Sequence, residues 1–261
     1  MQYPELVPGV LLRRYKRFLA DVRLDDGREV VAHCPNTGSM RAVNVPGSRV
    51  WLAPSDNPAR KLAWTWELIE LVQADGSVAL ASVHTGRTNR IVEEALQAGR
   101  VAALSGYATL KREAKVEGAR LDFRLEDPQR DTAYVEVKQV TLKEHDGHGY
   151  FPDAVSERGR RHLLALAALA EQGERAVLLF CVAHTGIHDV APAAHLDPAY
   201  AATLREVAER GVEVLAYGCA VGRRGGRPVT IALDEPLPVS LIRQVSFEAD
   251  VSASAGYENA E

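Results

Sequence analysis

Two segments of this chain carry acidic side chains at positions where strands usually alternate apolar with neutral residues. Along Leu121-Asp122-Phe123-Arg124-Leu125 the odd positions are apolar, which puts Asp122 on the opposite face. Along Tyr134-Val135-Glu136-Val137-Lys138, Val135 and Val137 share one face and leave Glu136 and Lys138 together on the other. Asp127-Pro128 lies between the two runs, so an antiparallel hairpin would bring Asp122 beside Glu136. Carboxylates that close repel, and ionising both is costly unless a cation sits between them. A divalent metal resolves the conflict, and hard oxygen ligands favour magnesium (or manganese). Lys138, one strand repeat further on, would steady an attacking water or the phosphate it attacks. The expected chemistry is metal-dependent phosphodiester hydrolysis, with Asp122 and Glu136 as metal ligands. A bare D…ExK pattern also describes a solvent-facing hairpin, but these strands lie mid-domain with helices on both sides.

A fourth acid is expected from the helix upstream. Thr88 and Asn89 read as its cap and Gly99 as its stop. Ile91, Val92, Ala95, Leu96 and Ala98 form its apolar stripe, with Glu94 slightly nearer the stripe's edge than Glu93. Glu94 therefore leans toward the sheet as a supporting member of the metal shell, an ordinary boundary glutamate being an equal reading. Glu113 is a weaker rival for that place.

Two basic clusters complete the candidate site. Arg13, Arg14, Lys16 and Arg17 interleave with Tyr15 and Phe18, as a nucleic-acid surface does, although a charged sheet edge kept against aggregation has the same texture. Arg158, Arg160, Arg161 and His162 fall in the first turns of a helix, where cations oppose the dipole; phosphate bound there would explain them, and Arg158 and Arg161 are the expected DNA contacts. Trp64, Trp66 and Leu68 alternate on one strand face and read as core. His33 and Cys34 read as part of a structured turn, and His145 with His148 offers too few ligands for zinc.

The elements that must position these residues change in texture near residue 85. Before it, turn signals at Asp26-Gly27, Pro46-Gly47, Asn57-Pro58 and Asp75-Gly76 separate about five short strands, including Leu11 to Leu24 as one strand-like run. This suits a small all-β barrel, with an OB-fold as the leading candidate, over residues 1–84. From 85 to 242 the order is helix, three strands, helix, strand, helix, strand, which predicts an α/β domain with a mixed sheet. Ala176 to Val182 is a continuous apolar run, the mark of a strand buried on both faces. Residues 243–261 read as a disordered tail.

Composition excludes little and localises the chain. Of 261 residues, 46% are hydrophobic and 25% charged, as in ordinary globular proteins, and no apolar run is long enough to cross a bilayer. The N-terminus lacks a secretion signal, and Cys34, Cys181 and Cys219 are odd in number and far apart, which points to a reducing cytoplasm. The net charge of −4 does not argue against a nucleic-acid partner, since phosphate contacts need only a local basic face.

The longest specific stretches are Ala32-His33-Cys34-Pro35-Asn36-Thr37-Gly38-Ser39-Met40, Tyr134-Val135-Glu136-Val137-Lys138 with Val140-Thr141-Leu142, and Gly149-Tyr150-Phe151-Pro152-Asp153-Ala154-Val155. On these, and on a match running from Arg14 to Val239, the chain resembles the sugar fermentation stimulation protein A (SfsA) family. The resemblance implies an N-terminal OB-like domain and a C-terminal PD-(D/E)XK nuclease-like domain. It also implies DNA binding with little sequence preference and a part in regulating sugar metabolism, particularly maltose. The family's nuclease pattern falls on Asp122, Glu136 and Lys138, with Glu94 as the helix acid; Leu121, not proline, precedes Asp122, and that proline is often absent in the superfamily. The expectation is thus a DNA-binding protein with a phosphodiesterase site. Its alternative is a non-catalytic DNA-binding regulator. The sequence leaves open RNA against DNA, and whether a homodimer forms to cut both strands.

Overall fold

The computed structural model describes residues 1–55 and 57–246. The first domain is a barrel of β1 (Val7–Tyr15), β2 (Leu19–Leu24), β3 (Glu29–His33), β4 (Arg49–Pro54) and β5 (Trp64–Val72), with β6 (Val78–Ser82) added beside β5. Strands run in the order β3-β2-β1-β4-β5, and a parallel pairing of β3 with β5 closes the ring, so none of these five is left as an open edge. Leu11, Val22, Ala32, Val50, Leu52, Trp66 and Ile69 fill its interior. The expected OB-like barrel is present.

Two local features depart from the strand pattern. The run expected from Leu11 to Leu24 is a hairpin, turned at Lys16 and Arg17, which adopt φ of 48° and 64°. Turns of this hand normally recruit Asn or Gly, so the sequence carries no signal for it. The stripe Trp64, Trp66, Leu68 also breaks. Trp66 pairs with Leu52 and Leu68 with Trp51, two steps on β5 against one on β4, which makes Glu67 a bulge. Beyond it the faces exchange: Trp66 and Ile69 point into the barrel, and Leu68 points outward to the α/β domain.

The second domain contains α1 (Thr88–Gln97), β7 (Thr109–Val116), β8 (Ala119–Asp127), β9 (Arg130–Val140), β10 (Leu142–Lys143), β11 (Gly149–Phe151), α2 (Glu157–Glu171), β12 (Arg175–Val182), β13 (Val190–Pro192), α3 (Pro198–Glu209), β14 (Glu213–Arg224) and β15 (Arg227–Pro236). Its main sheet has the order β15-β14-β12-β9-β8-β7, parallel at β9-β12-β14 and antiparallel elsewhere, which is the mixed α/β sheet expected. One face is covered by α1 and the outer wall of the barrel, through Ile91, Val92, Leu96, Trp51 and Leu68. The other is covered by α2 and α3, through Leu163, Leu166, Tyr200 and Leu204. β12 is buried on both faces, as its apolar run requires.

α2 starts close to α3 because residue 159 is glycine. A Cβ there would lie 2.6 Å from Ser156 Oγ and 3.0 Å from the Tyr200 ring. Ser156 caps the helix by accepting from Gly159 N–H at 3.1 Å.

The two domains share more than the linker. Met1 N donates to Ile231 O and Tyr3 N to Val229 O, both at 2.9 Å, so the first residues extend the β15 edge rather than the barrel they precede in sequence. At the chain's other end, residues 243–246, expected to begin a disordered tail, are packed. Val245 is buried with Leu142 and Tyr150, and Arg243 pairs with Asp189 at 2.8 Å. The rest of that expected tail, 247–261, lies outside the described residues.

Candidate active site

The ladder between β8 and β9 runs through Phe123↔Val135, and one further step sets Asp122 across from Glu136. At that step the regular ladder stops. Leu121 packs on the α2 side of the sheet and Phe123 on the α1 side, so the expected alternation breaks at Asp122. Glu113, in line with Asp122 on β7, has a φ of 57° and pairs with Arg120 near solvent, which takes it out of the site. Asp122 Oδ2 instead accepts the Val137 N–H at 2.8 Å, and Oδ1 accepts from Asn89 Nδ2 at 2.7 Å.

Glu136 and Lys138 face α2, as strand periodicity requires. Glu136 is 3% exposed. Its Oε1 receives Lys138 Nζ at 2.6 Å and the Nδ1 of His162 from α2. Its Oε2 is buried with no hydrogen-bond partner among the described residues. Burial works to raise the Glu136 pKa, but the hydrogen bond from His162 and the Lys138 charge outweigh it and hold the carboxyl below its usual range. Asp122 is raised, first by burial and then by the Glu136 charge.

These groups line one cavity of about 460 Å³. Asp122, Glu136, Val137, Lys138 and Gln139 form its floor, Thr88 and Asn89 one wall, and Arg158 and Tyr150 another. Asn36, from the barrel domain, lines it as well. Gln139 locks the floor to both neighbours, accepting from Thr88 Oγ1 at 3.1 Å and donating to Ser82 O at 2.6 Å.

The donor set fits a small hard cation. Among the described residues no three His, Cys, Asp or Glu side chains gather as a closed metal cage. Magnesium does not need one, because it keeps several waters and takes one or two carboxylates. A buried carboxylate oxygen without a partner among the described residues, in one cavity with a second carboxylate whose pKa is raised, suits a cation held between them.

Of the residues singled out from sequence, Asp122, Glu136, Lys138 and Arg158 meet here. Glu94 does not. It is turned away along α1, where it pairs with the Met1 amine at 2.6 Å and Arg90 at 3.0 Å. α1 reaches the cavity through its first turn, so Thr88 and Asn89, read as caps, spend their side chains on Gln139 and Asp122 and leave the helix without a side-chain cap. Arg161 is exposed and outside the cavity wall. Arg13 is held by Asp21 at 2.7 Å, and Arg14 donates to the carbonyls of Arg17, Asn36 and Gly38. Lys16, Arg17 and Phe18 are exposed at the β1–β2 tip, next to the loop that carries Asn36. His162, read only as one of four basic residues in a helix's first turns, is a site residue that no spacing rule could attach to Glu136.

The same cavity is where the longest specific stretches of the sequence converge. Residues 12–80 match the family profile described as SfsA N-terminal OB domain, and residues 86–225 match the one described as Sugar fermentation stimulation protein RE domain. This chain belongs to the SfsA family. A sugar fermentation stimulation protein homolog from Chromohalobacter salexigens is 69% identical over 97% of this chain and 100% of its own length. One from Shewanella sp. (strain MR-4) is 52% identical over 90% and 97%. Pyrococcus furiosus SfsA, solved in complex with Ca2+, superposes with a TM-score of 0.78 at 28% identity, covering 92% of this chain and 98% of that one. The barrel and the mixed sheet are therefore those of an SfsA protein. Among the described residues no helix is long and apolar enough to cross a membrane.

Proposed function

We propose that this SfsA protein is a metal-dependent phosphodiesterase acting on DNA, of PD-(D/E)XK nuclease type, in the cytoplasm. The observation that carries the reading is Glu136 Oε2, without a partner among the described residues, in one cavity with Asp122 and Lys138 that both domains line. Asp122 and Glu136 would hold Mg2+ or Mn2+, consistent with the Ca2+ in the Pyrococcus furiosus relative. When bound, the cation supplies Lewis-acid polarisation of the phosphodiester and a more acidic water. Asn89 and the Val137 amide fix both oxygens of Asp122, so the carboxylate is aimed before substrate arrives. Lys138 spends one N–H on Glu136 and keeps two to orient the attacking water or a phosphate oxygen. Arg158, exposed at the cavity wall, is placed to hold a neighbouring phosphate. Lys16, Arg17 and Phe18 offer cations and one aromatic face to the strand outside the cavity. RNA enters as a competing substrate in the same assay, and cutting both strands of a duplex would call for a homodimer.

A second reading is a DNA-binding regulator that leaves this site unused. The relatives' name, which describes an effect on sugar fermentation, speaks for it. The two are separated by incubating labelled single-stranded, duplex and branched DNA and RNA with and without Mg2+ or Mn2+, beside Glu136→Gln. Metal-dependent cutting that is lost in the variant, with binding retained, is the outcome expected of a nuclease. Binding without cutting on every substrate would leave the regulator.

A further inference from the structure

Glu136 has two oxygens, and the protein treats them unequally. Among the described residues, the two donors Lys138 Nζ and His162 Nδ1 converge on Oε1, and none reaches Oε2. His162 is 7% exposed and sits one helical turn beyond Arg158 on α2. Its other ring nitrogen, Nε2, accepts from Arg158 Nε at 3.4 Å, which makes Nδ1 the protonated nitrogen and the donor to Glu136. The ring thus bridges the floor of the cavity to the arginine in its wall.

Resting on the metal reading above, we infer that His162 is a positioning residue: it fixes the Glu136 carboxylate so that Oε2 is presented to the cation, and it ties Arg158 to the same ring. A glutamate has three rotatable bonds, and Lys138 alone, a point charge on a flexible stem, does not select one orientation of the carboxyl plane. A buried imidazole with a defined donor does. Outer groups that orient a ligand in this way change metal affinity by about 10–100-fold when removed. The Arg158 link gives the arrangement a second effect. With Nε engaged by the ring, the guanidinium's terminal nitrogens remain for a phosphate oxygen.

The test uses two substitutions of near-equal size and polarity. Asparagine places its amide N–H near the position of Nδ1, and glutamine places its own near Nε2. His162→Asn therefore keeps the donor to Glu136, whereas His162→Gln moves it toward Arg158. A space-filling role would not tell them apart. Titration of the full chain with Mn2+ alone, followed by calorimetry, should give a dissociation constant for His162→Asn within about threefold of wild type. For His162→Gln the constant should be weaker by about 10–100-fold. Equal affinity for His162→Gln and wild type would overturn the inference, as would an equal loss in both variants. Absence of Mn2+ binding to the wild-type chain would overturn the metal reading and this inference with it.

Discussion

Asp153 accepts the Ser39 hydroxyl at 2.7 Å across 114 residues of chain, and this contact clamps the barrel to the α/β domain at the mouth of the cavity. The same carboxylate takes the Met40 N–H at 3.0 Å. On the loop's other side, Arg14 holds the carbonyls of Asn36 and Gly38 at 3.0 and 2.9 Å. Asn36 is thereby kept as a wall of the site by one acid from the second domain and one base from the first. The stretches Pro35 to Met40 and Tyr150 to Val155, far apart in sequence, meet here.

Asp153→Ala should release this loop. The hydrogen bonds it removes are charge-assisted but partly solvent-exposed, so unfolding free energy should fall by about 1 kcal/mol, measured by urea titration. Amide exchange at Met40 should accelerate while that of the barrel interior stays unchanged. Unaltered exchange at Met40 would show that the loop does not depend on Asp153.

The metal-free site should carry a pH signature. Asp122 is raised above its usual value by burial and by Glu136, so the folded chain holds that proton more tightly than the unfolded chain does. An acid raised in this way supports stability below the unfolded value of 3.8 and loses it as pH rises through the raised folded value. Asp122→Asn removes that loss. Without metal, the difference in unfolding free energy between variant and wild type should shift in the variant's favour as pH rises through this window. A difference that is flat between pH 4 and 8 would contradict it. Glu136 has the opposite sign, its lowered value giving stability that is lost only as pH falls through it.

The Glu67 side chain, at the β5 bulge, is 0% exposed and pairs with Arg87 at 2.6 and 3.2 Å immediately before α1. Arg87→Met would leave a buried carboxylate without its partner. Removing one member of such a pair costs about 3–5 kcal/mol, and because Arg87 is one-quarter exposed the lower end is expected. Adding Glu67→Gln to Arg87→Met should restore part of the loss in the same urea titration. A single variant as stable as wild type would show that the pair contributes nothing to holding the domains.

The basic residues at the first hairpin should divide by what their side chains touch. Lys16 and Arg17 are exposed, and neither side chain forms an ion pair or hydrogen bond among the described residues, so Lys16→Ala and Arg17→Ala should each weaken DNA binding. Each should also reduce the slope of log K against log salt by about 1. Arg14→Ala should instead lower the melting temperature, because its side chain is committed to three carbonyls. Fluorescence anisotropy over a salt series, beside a thermal melt, separates the two effects. An unchanged salt slope in Lys16→Ala and Arg17→Ala would remove the hairpin from the nucleic-acid path.

The amino-acid sequence already determined that Glu136 and Lys138 share a face, by strand alternation, that β12 is buried on both sides, by its continuous apolar run, and that a barrel precedes a mixed sheet, by turn spacing and element order. Side-chain direction in a regular strand is a local property with a period of two, so neighbouring residues suffice to read it. The placement of Asp122 across from Glu136 followed from the turn between the two strands. Tertiary structure decided the rest, wherever regularity is broken by packing between distant segments. The bulge at Glu67 sent Leu68 out of the barrel, the break at Asp122 aimed that side chain at Asn89 and the Val137 amide, and a Lys-Arg turn split the first strand. The rotation of α1 is a further case. Its wheel placed Glu93 and Glu94 almost equally, and only the approach of the Met1 amine and the burial of Ile91 and Val92 against the sheet turned Glu94 away. His162 reached Glu136 because Gly159 let α2 start beside α3, a fit that depends on Tyr200 more than forty residues later in the chain.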